Sequence, residues 1–83
     1  MGEDANLQDQ IISLLANRLN IAGSSATTDL LASGALDSLG IVDLLAEIES
    51  RFAVRVPMET LEIDQLRTVE TITAMVARLR NGG

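Results

Sequence analysis

Ser38 is the residue of this sequence whose type and setting could support chemistry. It stands in segment 34–39, GALDSL, between a loop and the strongest amphipathic helix pattern in the chain. The chain contains no histidine and no cysteine, so it can build neither a Ser–His nor a Cys–His nucleophile of its own. If Ser38 carries chemistry, another protein must perform it, and the serine is then modified and does not catalyse.

The same two residues, Asp37 and Ser38, have a purely structural interpretation. Asp and Ser are strongly preferred at helix N-caps, because their side-chain oxygens accept hydrogen bonds from backbone N–H groups that have no partner in the helix. A lone Asp-Ser before an apolar run is therefore explained by capping alone. Both interpretations stay open on these two residues, and the surrounding segments must separate them.

Composition limits the size and class of the protein. Its 83 residues are enough for a single domain, which we expect to span 1–83. The chain is 47% hydrophobic with a single aromatic residue, so the core must be aliphatic. It contains neither a basic-then-apolar leader nor an apolar run of membrane-spanning length, which predicts a soluble cytoplasmic protein with no membrane insertion. We also expect a monomer.

Charge narrows the range of partners. The net charge is −6, and all 6 cationic residues are arginine, which disfavours nucleic-acid binding because phosphates require a basic face. The acids concentrate between Asp29 and Asp64, as either a solvated surface or a surface that attracts basic proteins. Glu59, Glu62 and Asp64 lack the residue order and the glycine of a calcium-binding EF-hand loop, so no metal site is predicted.

The first third of the chain predicts one helix and a long loop. We expect the helix to begin at Asn6 as N-cap, after a frayed start over residues 1–5, and to end near Asn20 and Gly23. Its apolar stripe consists of Leu7, Ile11, Leu14 and Leu15. The polar loop 23–28 follows, and Leu30 and Leu31 are expected to anchor it to the core, since exposing both would be costly.

The second helix is predicted from Ser38 to Phe52 and has two different apolar faces. One face is expected in the core and consists of Ile41, Leu44, Leu45, Ile48 and Phe52. The opposite face carries a strip of Leu39, Val42 and Ala46, flanked by Asp43, Glu47 and Glu49. An acid-rimmed apolar strip is typical of a helix that docks a partner. The alternative is that the long loop covers Leu39 and Val42.

The remaining segments complete an all-α prediction. Segment 54–57 is expected to be extended because it ends at Pro57, but no partner strand is available for a sheet. Segment 61–66 predicts a short helical turn, and Thr68 should cap a last helix whose apolar face is Val69, Ile72, Val76 and Leu79. The predicted fold is a small four-helix bundle, with three longer helices, one short one and a long first loop.

Taken together, these residues resemble a phosphopantetheine-dependent acyl or peptidyl carrier protein. The resemblance covers about residues 7–79 and rests on an ordered set of residues: Asp29-Leu30, Gly34, Asp37-Ser38-Leu39, Val42, Leu44-Leu45, Glu47, Glu49, Phe52 and Val56-Pro57. It implies a non-catalytic protein that carries covalent 4'-phosphopantetheine on Ser38 and holds an acyl or aminoacyl group on it as a thioester. A phosphate on Ser38 would also suit the positive N-terminal end of the second helix.

The resemblance also implies partners and a kind of cargo. The partners are a phosphopantetheinyl transferase, a ligase that activates an acid or amino acid, and a downstream acyl or aminoacyl transferase, synthase or tailoring enzyme. Asp37, Leu39, Val42, Asp43, Ala46 and Glu47 are the expected docking residues. Gly40 and the long span from Pro57 to Thr68 resemble D-alanyl carriers and stand-alone aminoacyl or acyl carriers of specialised metabolism. A fatty-acid-synthase-type carrier and an unmodified acidic interaction module remain the alternatives.

Overall fold

The residues that the structure describes form three α-helices and one short helical turn. The computed structural model describes residues 3–23, 25, 27–57 and 59–81. Helix α1 is Glu3–Arg18, α2 is Ser38–Phe52 and α3 is Val69–Arg80, with a 3-10 helical turn at Ile63–Leu66 between α2 and α3. These residues contain no strand. The predicted all-α fold of three longer helices, one short one and a long first loop is confirmed.

The predicted start of α1 was wrong. The helix begins at Glu3, and not at Asn6 as N-cap. In the sequence, two acids and an alanine stand directly before Asn6, and these residue types favour an earlier helix start than the capping preference of Asn6 predicts. Met1 and Gly2, also predicted to be frayed, lie outside the described residues.

Helix α1 ends at Arg18, close to the stop signal that was predicted at Asn20. This residue adopts a left-handed conformation with φ of 63°, which asparagine tolerates better than most residues. The chain then turns, and the Ile21 N–H donates to the Leu15 carbonyl at 2.8 Å. This turn ends the helical path of the chain and begins the first loop.

Helix α2 has the predicted bounds and the predicted inner face. Leu44, Leu45 and Ile48 are buried, while Ile41 and Phe52 pack half-buried against the core. The helix ends at Phe52, and its C-cap, Ala53, has a left-handed φ of 55°. Helix α3 lies chiefly against α1, and α2 contacts both. Because α2 buries only one stripe, its opposite face is left outside the bundle.

The first loop is anchored in the core by two leucines. Leu30 and Leu36 are buried, the Leu30 N–H donates to the Arg67 carbonyl at 2.7 Å, and the Leu36 N–H donates to the Leu30 carbonyl at 3.0 Å. Gly34 between them has a φ of 79°, a conformation that disfavours residues with a Cβ. This compact turn fixes where α2 begins, and it explains why the predicted motif contains a glycine at 34.

Arg67 ties the first loop to the 3-10 helical turn. Its guanidinium lies 3.2 Å from an Asp29 carboxylate oxygen and 2.8 Å from one of Asp64. The other Asp29 oxygen accepts the backbone N–H groups of Ala32, at 2.8 Å, and Leu31, at 3.2 Å. The Ala32 hydrogen bond, with smaller help from Arg67 and Leu31, lowers the pKa of Asp29 below its ordinary value of 3.8 despite partial desolvation.

Acid should weaken the fold through Asp29. A carboxyl whose pKa is lower in the folded than in the unfolded state stabilises the fold above the unfolded pKa, and that stabilisation is lost as pH falls through the folded value. Asp29→Asn keeps an oxygen for the Ala32 N–H but removes the charge. We expect this variant to lose less stability than the parent between about pH 7 and about pH 3 in urea unfolding. Glu59→Gln, at an exposed loop carboxylate, is the control, and equal acid sensitivity of parent and Asp29→Asn would contradict the assignment.

Candidate modification and docking site

Ser38 lies exposed at the first position of α2. The first N–H groups of an α-helix have no acceptor within the helix, and the dipole makes this end partially positive. The first turn of α2 contains no acidic residue. An anion joined to the Ser38 hydroxyl would therefore meet the favourable dipole of the helix, and the carboxylate next to it in the sequence is that of the N-cap, Asp37.

Asp37 is the N-cap of α2, as the capping interpretation required. Its backbone is extended, and its Oδ1 accepts the Gly40 N–H at 2.8 Å. Capping thus uses the Asp37 carboxylate and leaves the Ser38 hydroxyl out of the cap. Gly40 keeps this corner tight, since a Cβ there would come within 3.2 Å of both Asp37 Oδ1 and Leu36 Cδ1.

Two substitutions of Asp37 separate the effect of its helix cap from the effect of its negative charge. Asp37→Ala should lower the free energy of unfolding by about 1 kcal/mol, because the Gly40 N–H loses its acceptor. Asp37→Asn should retain most of that stability, since asparagine caps about as well as aspartate. If the charge guides a basic transferase, both variants should slow loading at low ionic strength. If Asp37→Asn is loaded at the parental rate, the charge of Asp37 has no role in loading and the residue acts only as a helix cap.

The outer face of α2 is open, and the loop does not cover it. Leu39 is 78% exposed and Val42 is 60% exposed, while Asp43 and Ala46 beside them are also exposed. The alternative of a covering loop was therefore wrong: the loop is anchored to the core by the side chains of Leu30 and Leu36 and does not lie over Leu39 and Val42. We call Leu39, Val42, Asp43, Ala46 and Glu47 the α2 outer face.

One acid of the α2 outer face, Glu47, and one acid beside it, Glu49, already have partners within the chain. Glu47 is half-buried, and its Oε1 lies 3.7 Å from Nε of Arg18 on α1. The Glu49 carboxylate accepts the Val56 N–H at 2.8 Å and so holds the extended segment after α2. Glu49 therefore has a structural role and Glu47 pairs with Arg18, while Asp43 is exposed on the outer face.

Arg18 is a residue that the sequence argument missed. A cation in the last turn of α1 is a recognised signal for favourable interaction with the helix dipole. Its position beside α2 could not be read from the sequence. Together with Leu19, Asn20 and Ile21 it lines a recess of about 330 Å³ that is completed by residues at the start of α2.

A second recess lies elsewhere and has a different character. It measures about 390 Å³ and is formed between the loop after Pro57 and the last turns of α3, with Leu61, Met75 and Leu79 among its lining residues. The two recesses share no lining residue. The one that adjoins Ser38 is the one at the start of α2.

The structure thus contains an exposed serine at a capped helix start, next to an open apolar and acidic face, in a small helical fold. Comparison with protein families gives the class of the protein. Residues 9–76 match the family described as phosphopantetheine attachment site, and this match covers most of the chain. The protein belongs to that family.

Individual relatives carry the name D-alanyl carrier protein. The one from Streptococcus thermophilus is 45% identical over 53 residues, which cover 64% of this chain and 67% of the relative. Those from Streptococcus sanguinis and Streptococcus gordonii are 43% identical over the same length and the same shares. The expected resemblance to D-alanyl carriers is confirmed.

Family membership fixes the cofactor and the type of role. The protein is a non-catalytic carrier that bears covalently attached 4'-phosphopantetheine and is a substrate of a phosphopantetheinyl transferase. The residues around α2 fit such a group, because the exposed Ser38 hydroxyl stands at a helix N-terminus and Arg18 lines a recess with its two neighbours, Asp37 and Leu39. When attached, the group supplies the thiol that the chain lacks. The part of the chain that the structure describes has no helix long and apolar enough to cross a membrane.

Proposed function

We propose that Ser38 bears the phosphopantetheine and that the chain acts as a single, monomeric carrier domain in the cytoplasm. The observation that supports this most is that capping and modification would use different side chains at the start of α2. Asp37 makes the cap, so the adjacent, exposed Ser38 hydroxyl is free for modification. In the loading step the Ser38 Oγ–phosphorus bond forms while the pyrophosphate bond of coenzyme A breaks. The nucleotide leaves, and the transferase accepts the serine proton, since this chain has no histidine or lysine to do so.

The α2 outer face is the proposed docking surface for successive partner enzymes. Leu39 and Val42 offer apolar contact next to Ser38, and Asp43 offers an exposed negative charge. Partners with a basic rim around a small apolar hollow would match it, because complementary charge accelerates encounter while apolar contact supplies affinity. The proposed partners are the transferase, a ligase that activates the cargo and a downstream acyl or aminoacyl transferase.

The proposed cargo is an aminoacyl or short acyl group, with D-alanine the first candidate. Relatives named D-alanyl carrier protein support D-alanine. The structure adds a physical argument, since Leu44, Ile48, Ile72 and Val76 are fully buried in the core. A long chain would have to displace such side chains, whose close packing resists opening, whereas a small polar group need not enter the core.

The cargo can be tested by intact mass and by NMR. We expect the loaded protein to gain D-alanine as a thioester in the presence of ATP and a D-alanine-activating ligase. The methyl signals of Leu45, Ile48 and Val76 should hardly move on D-alanylation. Efficient acylation by fatty-acid synthase enzymes with a long chain, together with large shifts of these methyls, would favour the fatty-acid carrier instead. Loading by another amino acid in preference to D-alanine would retain the carrier and replace only its cargo.

A further inference from the structure

The recess at the start of α2 has lining residues on both sides of Ser38. Asp37 and Leu39, which flank the serine in sequence, both line the recess, and so does Gly40. Its other wall is the end of α1 and the turn that follows, from Arg18 to Ile21. Its volume of about 330 Å³ lies at the lower end of the range of small-molecule sites, roughly 300–1,000 Å³. A group joined to Ser38 would thus begin at the rim of a recess of useful size.

The lining of this recess matches the chemistry of a phosphopantetheine arm. The arm has an anionic phosphodiester, a gem-dimethyl group, a hydroxyl and two amides. Arg18 offers a cation, the Asn20 side chain offers an amide donor and acceptor, and Leu19 and Ile21 offer apolar surface. Asp37 and Asp43 also line the recess, and their carboxylates can accept hydrogen bonds from the hydroxyl and amide N–H groups of the arm but not bind its phosphodiester. Arg18 is therefore the lining residue whose charge suits the phosphodiester. The second recess, at the end of α3, adjoins neither Ser38 nor any residue of α2.

Arg18 can move to a phosphate at little cost. Its contact with Glu47 is a single one at 3.7 Å, and the Arg18 side chain is 60% exposed. Such an exposed ion pair is weak, because solvent screens it and long side chains lose freedom to form it. A phosphodiester held near the N-terminus of α2 would compete with the Glu47 carboxylate for the guanidinium. Contact with the phosphate would also release Glu47 for a docking partner.

We propose that the phosphopantetheine arm folds back into the recess between the end of α1 and the start of α2, with Arg18 as its phosphate contact. This inference rests on the proposed attachment at Ser38. It assigns a resting place to the arm that is distinct from the apolar core and from the recess beneath the end of α3. Arg18 would thereby be a positioning residue, which holds the arm between visits to partner enzymes.

The test begins with intact mass, which separates this inference from the proposed function. The protein, labelled with ¹³C and ¹⁵N, is loaded with an unlabelled arm, and the mass must show one phosphopantetheine on Ser38. Isotope-filtered NOEs are then recorded from the arm. We expect NOEs from the gem-dimethyl protons to the methyls of Leu19 and Ile21, and amide shifts at Asn20 between the unloaded and loaded forms. An unloaded mass would reject the proposed function, and this inference with it.

The role of Arg18 is tested by a matched pair of variants. Arg18→Gln should lower the ratio of docked to free arm, measured by NOE intensity, by about two- to fivefold, as expected for an exposed ionic contact. Arg51→Gln, at an exposed arginine near the other end of α2, should leave the ratio unchanged. If both variants lower the ratio of docked to free arm equally, the effect comes from the overall charge of the protein, and the proposed role of Arg18 is wrong.

Two outcomes in the fully loaded parent protein would overturn the inference as a whole. The absence of NOEs to Leu19 and Ile21 would mean that the arm is free in solvent. NOEs to Leu61 and Leu79 would place it in the recess at the end of α3. Both results leave attachment at Ser38 intact, since the mass has already established it.

Discussion

Replacing Ser38 with alanine should leave the protein at its unloaded mass after incubation with coenzyme A and a broad-specificity phosphopantetheinyl transferase. The parent should gain one phosphopantetheine to completion. The loss should be total, because the alanine side chain has no oxygen to form the phosphodiester. Stability should change by no more than about 0.5 kcal/mol, since Ser38 is exposed and the cap is made by Asp37.

The matched control is Ser50→Ala, an exposed serine near the opposite end of α2. This variant should load like the parent, because Ser50 lies far along the helix from its N-terminus. Circular dichroism of both variants should show unchanged helix content. A full mass gain in the Ser38→Ala protein would show that another residue bears the group and would reject the assignment.

Charge reversal on the α2 outer face should give the second largest effect. Asp43→Lys combined with Glu47→Lys should raise the KM of the loading enzyme by about tenfold or more at low ionic strength, because a basic partner then meets positive charge where it needs negative. The difference from the parent should shrink as salt is added, since exposed charges are screened over about 10 Å at 0.1 M. Steady-state loading kinetics at two salt concentrations measure it.

Stability must be measured alongside the kinetics of the double variant, because Glu47 pairs with Arg18. Reversal at Glu47 also places two cations together, so the variant should lose up to about 1 kcal/mol of stability. Asp43→Lys alone avoids that loss and should retain part of the kinetic effect. Asp9→Lys with Glu59→Lys reverses two exposed acids outside α2. Equal KM changes in this control would indicate diffuse attraction by net charge and contradict a defined docking face.

Local features of the chain were predictable because they depend on near neighbours. The bounds of α2 follow from Asp37 as a cap and from apolar residues that recur with the helical period. Thr68 likewise begins α3 by accepting the Thr71 N–H at 3.1 Å. The start of α1 was missed because two local signals compete there. The capping preference of Asn6 favoured a late start, and the acids before it favoured an earlier one.

The sequence by itself determined the class of fold, the aliphatic core and the place of Ser38 at the mouth of a helix. All three depend on residue type and on spacing within one or two helical turns. Dependence on a partner enzyme for modification was also readable, since a chain without histidine, cysteine or lysine has few ways to activate its own serine. The ordered motif around Ser38 then separated a carrier from a plain capped helix.

Only the tertiary structure decided which surfaces the helices share and which they leave open. The ion pair of Asp29 with Arg67 joins residues 38 positions apart, and that of Arg18 with Glu47 joins two helices. Leu39 and Val42 are exposed, since the loop that could have covered them is anchored to the core elsewhere, through the buried side chains of Leu30 and Leu36. A hydrophobic pattern records that a residue is apolar, but whether water reaches it depends on where distant segments of the chain return and pack.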